Sequence, residues 1–228
     1  MYTAVSSGRR EVTTRSRLDS GTILAAASEL IERDGLAGLS MRRLADRLGV
    51  APMATYRHFA DRAALVDALI DEAARGVAIP APTGDWRIDL AGLARSLRNG
   101  LMAQPALVEV VVARPALGPA AIHLAEAAYA ALRPAGFGPR TCERGANLLF
   151  GYVLGFAALE APRRYPTASA PLFTDQATLQ AAYGAQDPSA LPFTLEVQPD
   201  AGRFIDGDQF EWGLATILDG IAARHPGD

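Results

Sequence analysis

From Thr22 onward the apolar residues recur at three- and four-residue steps. Ile23, Ala26, Ala27, Leu30 and Ile31 share one face, which predicts an amphipathic helix. Asp19 or Ser20 can cap its start, and Gly35 after Glu32-Arg33-Asp34 suits a left-handed stop. A second helix is expected over 41–48 behind Ser40, closed by Gly49. A third, short one is expected from Pro52 to Phe59, because proline is tolerated in a first turn. Asp61 can cap a fourth, which carries Leu65, Ala68, Leu69 and Glu72 on to about Val77.

Ile79-Pro80-Ala81-Pro82-Thr83-Gly84 interrupts the pattern and marks a domain boundary, although the fourth helix could pack on both sides of it. Helical periodicity resumes at about 86–103, 106–113, 119–133 and 139–162. Residues 163–206, with Pro166, Pro171, Pro188, Pro192 and Pro199, read as a long connection holding one short helix at 175–183. A last helix is expected over 208–224, with Phe210, Leu214, Ile217, Leu218 and Ile221 on one face. No repeat and no strand pattern is evident. The expected fold is all-α: an N-terminal helical domain over 19–78 and a C-terminal one over 85–228. Residues 1–18 carry Arg9, Arg10, Arg15 and Arg17 and read as a flexible basic arm, either a solvated tail or a segment that touches DNA.

Composition sharpens this. Aromatics are 7% of the 228 residues, and alanine, the best helix former, is abundant. All 22 basic residues are arginine, so lysine chemistry is excluded: no Schiff base, no phosphate-loop lysine. The net charge of -3 rules out a uniformly basic coat but hides an asymmetry. Residues 1–62 hold 10 arginines against 7 acids, and the remainder 12 against 18. The lone cysteine, Cys142, excludes an intrachain disulfide and a multi-cysteine metal site, and reads as a core residue. No cofactor or metal is expected. No run approaches 18 apolar residues, so no membrane span is expected either, and a cytoplasmic location follows.

Helix 41–48, the turn Gly49-Val50-Ala51 and helix 52–59 have helix-turn-helix spacing. Leu44, Leu48, Val50, Ala54 and either Tyr56 or Phe59 can close a core against Ile23, Ala27, Leu30 and Leu39. Arg42, Arg43, Pro52, Met53, Thr55, Arg57 and His58 are left outside. In such a motif the second helix enters the major groove while the first crosses the backbone. Pro52, Met53 and Ala54 offer thymine-methyl contacts, and Arg42, Thr55 and Arg57 the polar readout. Arg42 and Arg57 could be solvated charges, but two arginines on one exposed face beside a helix-turn-helix favour DNA contact; Tyr56 could be core, and His58 could touch phosphate or be partly buried. Arg43 and Arg47 read as solvated or ion-paired with Asp46 or Glu32.

The run Ile31-Glu32-Arg33-Asp34-Gly35-Leu36-Ala37-Gly38-Leu39-Ser40-Met41-Arg42-Arg43-Leu44-Ala45-Asp46-Arg47-Leu48-Gly49-Val50 resembles the N-terminal domain of the tetracycline-repressor (TetR) family. Ala54-Thr55-Tyr56-Arg57-His58-Phe59-Ala60-Asp61-Arg62-Ala63-Ala64-Leu65 continues the likeness, which spans about 20–75. Residues 210–221 are similar to the closing helix of one large branch of that family. The resemblance implies a homodimeric one-component regulator that binds a double-stranded DNA operator and carries a ligand cavity. It implies that Tyr56 touches phosphate or packs in the groove, that Arg62 stands where a phosphate-gripping lysine is usual, and that Arg42 stands where some members read a base. The candidate DNA-binding set is therefore Arg42, Met53, Thr55, Tyr56, Arg57, His58 and Arg62.

In the C-terminal domain Arg114, His123, Asn147, Phe150 and Phe156 are candidate ligand-binding residues, with Glu109 and Glu160 as further polar ones. Each could instead be an ordinary core or surface residue. Aromatic linings suit a small apolar or aromatic effector. Gly151 and Gly155, a small-x-x-x-small step, together with Leu214, Ile217, Leu218 and Ile221, could form a four-helix dimer interface or an intrachain groove. The function expected is a ligand-responsive regulator, a repressor released from a palindromic operator by its effector. The alternatives are a non-inducible DNA-binding or scaffold protein and a helical enzyme.

Overall fold

A computed structural model describes residues 18–114, 118–164, 181, 184–187, 189–197 and 205–224, and every regular element among them is helical. The expected arm over 1–18 lies almost wholly outside the described residues, as does the expected short helix at 175–183.

The head is built from α1 (Ser20–Asp34), a single 3-10 turn (Leu36–Gly38), α2 (Met41–Leu48), α3 (Pro52–Tyr56) and α4 (Arg62–Arg75). Its caps are local and polar. Asp19 accepts from the Thr22 N–H at 2.7 Å, Ser40 from Arg43 at 3.2 Å and Asp61 from Ala64 at 2.8 Å. Such caps each contribute about 1 kcal/mol. Gly35 takes φ 69° but ψ 174°, so it leaves α1 in an extended, glycine-only conformation instead of the left-handed stop. Gly49 closes α2 in the left-handed region at φ 65°, and this reversal sets the turn into α3.

Ile23, Ala27, Leu30, Leu39, Leu44, Leu65 and Leu69 form the head core, with Phe59 and not Tyr56 as its aromatic member. Each fully buried aliphatic side chain there contributes about 1.5–3 kcal/mol. The same core includes Leu107 and Val110 of α6 (Pro105–Ala113), so the head does not end its packing at the Pro/Gly break.

The body comprises α5 (Trp86–Ala103), α6, α7 (Pro119–Leu132), α8 (Pro139–Arg164) and the terminal helix α10 (Gly207–Ala222). A short helix, α9 (Pro192–Val197), lies in the stretch expected to be irregular, and it begins on Pro192, which a first helical turn tolerates. Leu90, Leu97, Leu132, Phe137, Leu149, Val153, Phe156, Phe210 and Leu214 share one core. Tyr152 of α8 donates its hydroxyl to the carbonyls of Gln209 and Phe210, at 3.2 and 3.0 Å. It sits over Gly213, where any Cβ would overlap the phenol ring. Burial raises the Tyr152 pKa above the ordinary phenol value. Among the described residues no helix is long and apolar enough to cross a membrane.

Candidate nucleic-acid interface

Gly49, Val50 and Ala51 join α2 to α3, and the Val50 N–H donates to the Ala45 carbonyl at 3.1 Å, closing the end of α2 before the turn. Pro52 opens α3, where its missing N–H is of no consequence. The helix ends at Tyr56, three residues before the expected Phe59. The Thr55 carbonyl accepts from both His58 and Phe59 N–H at 3.1 Å, which tightens the last turn and swings Phe59 into the core.

The outer surface of this unit carries Met53, 67% exposed, and Tyr56, 43% exposed, with Arg42, Pro52, Arg57 and His58 also exposed. The His58 ring nitrogen Nδ1 lies 3.4 Å from the Ser20 hydroxyl. Thr55 must be removed from the outward set. It is fully buried, and its hydroxyl donates to the Pro52 carbonyl at 2.8 Å, so it packs α3 onto the head instead of offering a polar edge.

The arginines of the head fall into two groups. Arg43 reaches back to Asp34 and to the Gly38 carbonyl, and Arg47 pairs with Glu29, so neither uses the expected Asp46 or Glu32. Arg33 binds Asp34 through two hydrogen bonds. The hydrogen bonds from Arg33, aided by the Arg33 and Arg43 charges, hold the Asp34 carboxyl below the usual carboxylate range. Arg62, expected to reach outward to phosphate, spends Nε on the Leu39 carbonyl at 2.9 Å and Nη2 on Leu36 at 2.8 Å. It ties α4 to the segment leading into α2. Arg42 and Arg57 have no side-chain partner among the described residues.

The ligand candidates are scattered. Arg114 is exposed and pairs with Asp67 of the head at 3.0 Å. His123 is exposed, with Nδ1 2.6 Å from the Pro119 carbonyl one turn back, and Asn147 lies on the outer face of α8. Glu109 is exposed too. Phe150 is half-buried against the core, whereas Phe156 is buried in an aromatic cluster with Tyr152 and Phe210. These residues therefore do not line one interior site. Sequence reasoning missed Arg98, whose guanidinium forms two bonds to buried Glu160, at 2.7 and 2.8 Å, and lies 4.6 Å from the Phe210 ring centre. The available signal was Glu160 itself, four residues after Phe156 on the inward face of α8.

The dimer candidates divide as well. Leu214, Leu218 and Ile221 are buried inside their own chain, and Ile217 is half-buried. A Cβ on Gly151 or Gly155 would meet nothing, so both glycines face outward. Among the glycines of α8 the close intrachain approach falls instead at Gly145, against Ile221. A groove of about 780 Å³ lies between α8 and α10, with Arg140, Arg144 and Arg224 at its rim and Leu148 and Ile217 among its apolar walls.

A three-helix head with an outward helix-turn-helix, set on an all-helical body, defines a one-component DNA-binding regulator. Residues 23–69 match the family described as bacterial regulatory proteins, tetR family, and residues 79–225 match the tetracyclin repressor-like C-terminal domain. The chain belongs to the TetR family of transcriptional regulators. It is 33% identical over 222 residues to the tetracycline repressor protein class A of Escherichia coli, covering 92% of this chain and 93% of that one. To the transcriptional repressor DrrR1 of Streptomyces coeruleorubidus it is 32% identical over 206 residues, covering 87% and 75%. Its fold matches that of Streptomyces coelicolor ActR in complex with actinorhodin, with a TM-score of 0.80, 28% identity, and 93% and 100% of the two chains covered.

Proposed function

We propose that this protein is a homodimeric repressor that holds a palindromic operator through α2 and α3 and is released by a small apolar or aromatic effector. The observation that carries the reading is the division of arginines: Arg42 and Arg57 stand exposed and without a partner among the described residues beside Met53 and Tyr56, while Arg43, Arg47 and Arg62 are bonded to other residues of the head. On this reading Arg42 and Arg57 contact base edges, Met53 packs on thymine methyls, and Tyr56 and His58 contact the backbone. Arg62 organises this surface and has Nη1 left over for a phosphate.

The dimer would form through α8 and α10. Leu148 and Leu159, 54% and 41% exposed, flank Gly151 and Gly155 on the outer face of α8, and Trp212 stands 67% exposed on α10. The groove between these helices continues the same face and would receive ridges of the second copy. The effector proposal is supported by the ActR complex with actinorhodin, as a fold neighbour that binds a small molecule, and its apolar or aromatic class by the apolar, aromatic interior of this body.

The test is selection of duplexes from random DNA by the wild-type protein, followed by affinity measurements on the winner. Arg42→Ala and Arg57→Ala are each expected to weaken binding by about 1–3 kcal/mol and to relax sequence preference, whereas Arg47→Ala leaves preference intact. If the first two bind like wild type, the assignment of the reading surface is wrong. A ligand screen for release of the selected duplex then identifies the effector class.

A further inference from the structure

The head and body meet along α4, and two carboxylates organise the junction. Asp67 and Asp71 lie one turn apart on the same face of that helix. Asp67 pairs with Arg114, just beyond the end of α6, at 3.0 Å. Asp71 is only 9% exposed. Its Oδ1 accepts from the backbone N–H of Ala120 at 2.7 Å, and its Oδ2 from Arg75 at 2.7 Å.

Ala120 is the second residue of α7. Gly118 holds the N-cap position and has no side chain to accept a bond, and Pro119, the first helical residue, has no N–H, so Ala120 carries the first N–H of the helix. The side-chain acceptor at the start of a body helix thus comes from a head helix. Gly118 makes this possible, since a Cβ there would overlap the Asp71 carboxyl group.

We propose that Asp71 is a positioning residue that couples α7 to the recognition helix. This inference rests on the regulator reading above and deepens it. If α7 moves with its cap intact, it carries α4 along, and α4 holds Arg62 and the N-terminal anchor of the α2–α3 unit. If α7 moves without α4, a nearly buried carboxylate and a helix N–H lose each other, which is strongly disfavoured. Gly118 and Asp71 therefore act as one device. The missing side chain on one helix obliges it to borrow the acceptor of the other.

Coupling is reciprocal, so no effector is needed to test it. Hydrogen exchange of the first turn of α7 is measured in the full chain, with and without the duplex selected by wild type. The duplex is expected to change exchange there by roughly fivefold or more in wild type. Asp71→Ala alone should loosen that turn. Asp71→Ala combined with Gly118→Ser supplies α7 with its own cap; it should recover thermal stability and still bind duplex, but lose the duplex-dependent change. Asp71→Asn keeps an acceptor for Ala120 and should retain the response, so it serves if the double variant does not fold. A wild-type α7 indifferent to bound duplex, or a self-capped double variant that responds like wild type, overturns the coupling while leaving the regulator reading intact. Failure of wild type to enrich any duplex sinks that reading, and this inference with it.

Discussion

Arginine does two jobs in the head, and the distinction is made side chain by side chain. Arg33, Arg43, Arg47 and Arg62 act as internal fasteners, while Arg42 and Arg57 stand free among the described residues. The forked donor matters at Arg62, where two nitrogens reach two carbonyls at once. Arg62→Lys keeps the charge but not the fork. It should lower head stability by about 1–2 kcal/mol in urea titration with little change in the salt dependence of DNA binding. Thr55→Ala should likewise destabilise by about 1–2 kcal/mol, through the lost methyl and hydroxyl contacts, and leave sequence preference unchanged in the selection assay. Asp34 carries a pH signature. Arg33 and Arg43 lower its folded-state pKa, so its contribution is complete above the unfolded value of about 3.9 and is lost as pH falls through the folded value. Unfolding followed from pH 7 to pH 3 should show an acid limb that Asp34→Asn flattens.

Helix periodicity made most elements legible, because the core faces of α1, α4 and α10 are written in ordinary three- and four-residue steps. Errors clustered where a longer-range partner decides the outcome. Thr55 sits in a short helix whose exposed side cannot be told from its buried side over five residues. Arg62 stands where a phosphate-gripping lysine is usual, and the sequence does not announce that two of its nitrogens hold the carbonyls of Leu36 and Leu39. Leu214, Leu218 and Ile221 form an apolar stripe that could face a partner chain or its own core, and periodicity alone does not say which. The outward residues of α8 are better tests of assembly. Leu148→Arg and Gly151→Leu should each shift the sedimentation mass from dimer towards monomer, whereas Gly145→Ala should act on folding, because that position faces Ile221 in the same chain.

At the scale of the whole molecule the basic surplus of residues 1–62 traces to Arg9, Arg10, Arg15 and Arg17, which lie outside the described residues. The described head over 18–75 holds 7 arginines against 9 acids, and its uncommitted pair, Arg42 and Arg57, lies on the α2–α3 surface. The head is not a detached module, since α6 contributes Leu107 and Val110 to its core and α4 supplies the acceptor for the start of α7. Any displacement inside the body therefore has two routes to the recognition helix, one apolar and one polar. The central claim is that two such heads, joined through the bodies, read one duplex with a fixed spacing. The direct measurement is affinity for the selected operator with base pairs inserted between its half-sites. Two recognition helices about 34–36 Å apart fit successive turns of the major groove. Inserting five base pairs turns the second half-site to the opposite face, and the affinity should fall by roughly 100-fold or more. Undiminished binding to the lengthened operator would contradict the account.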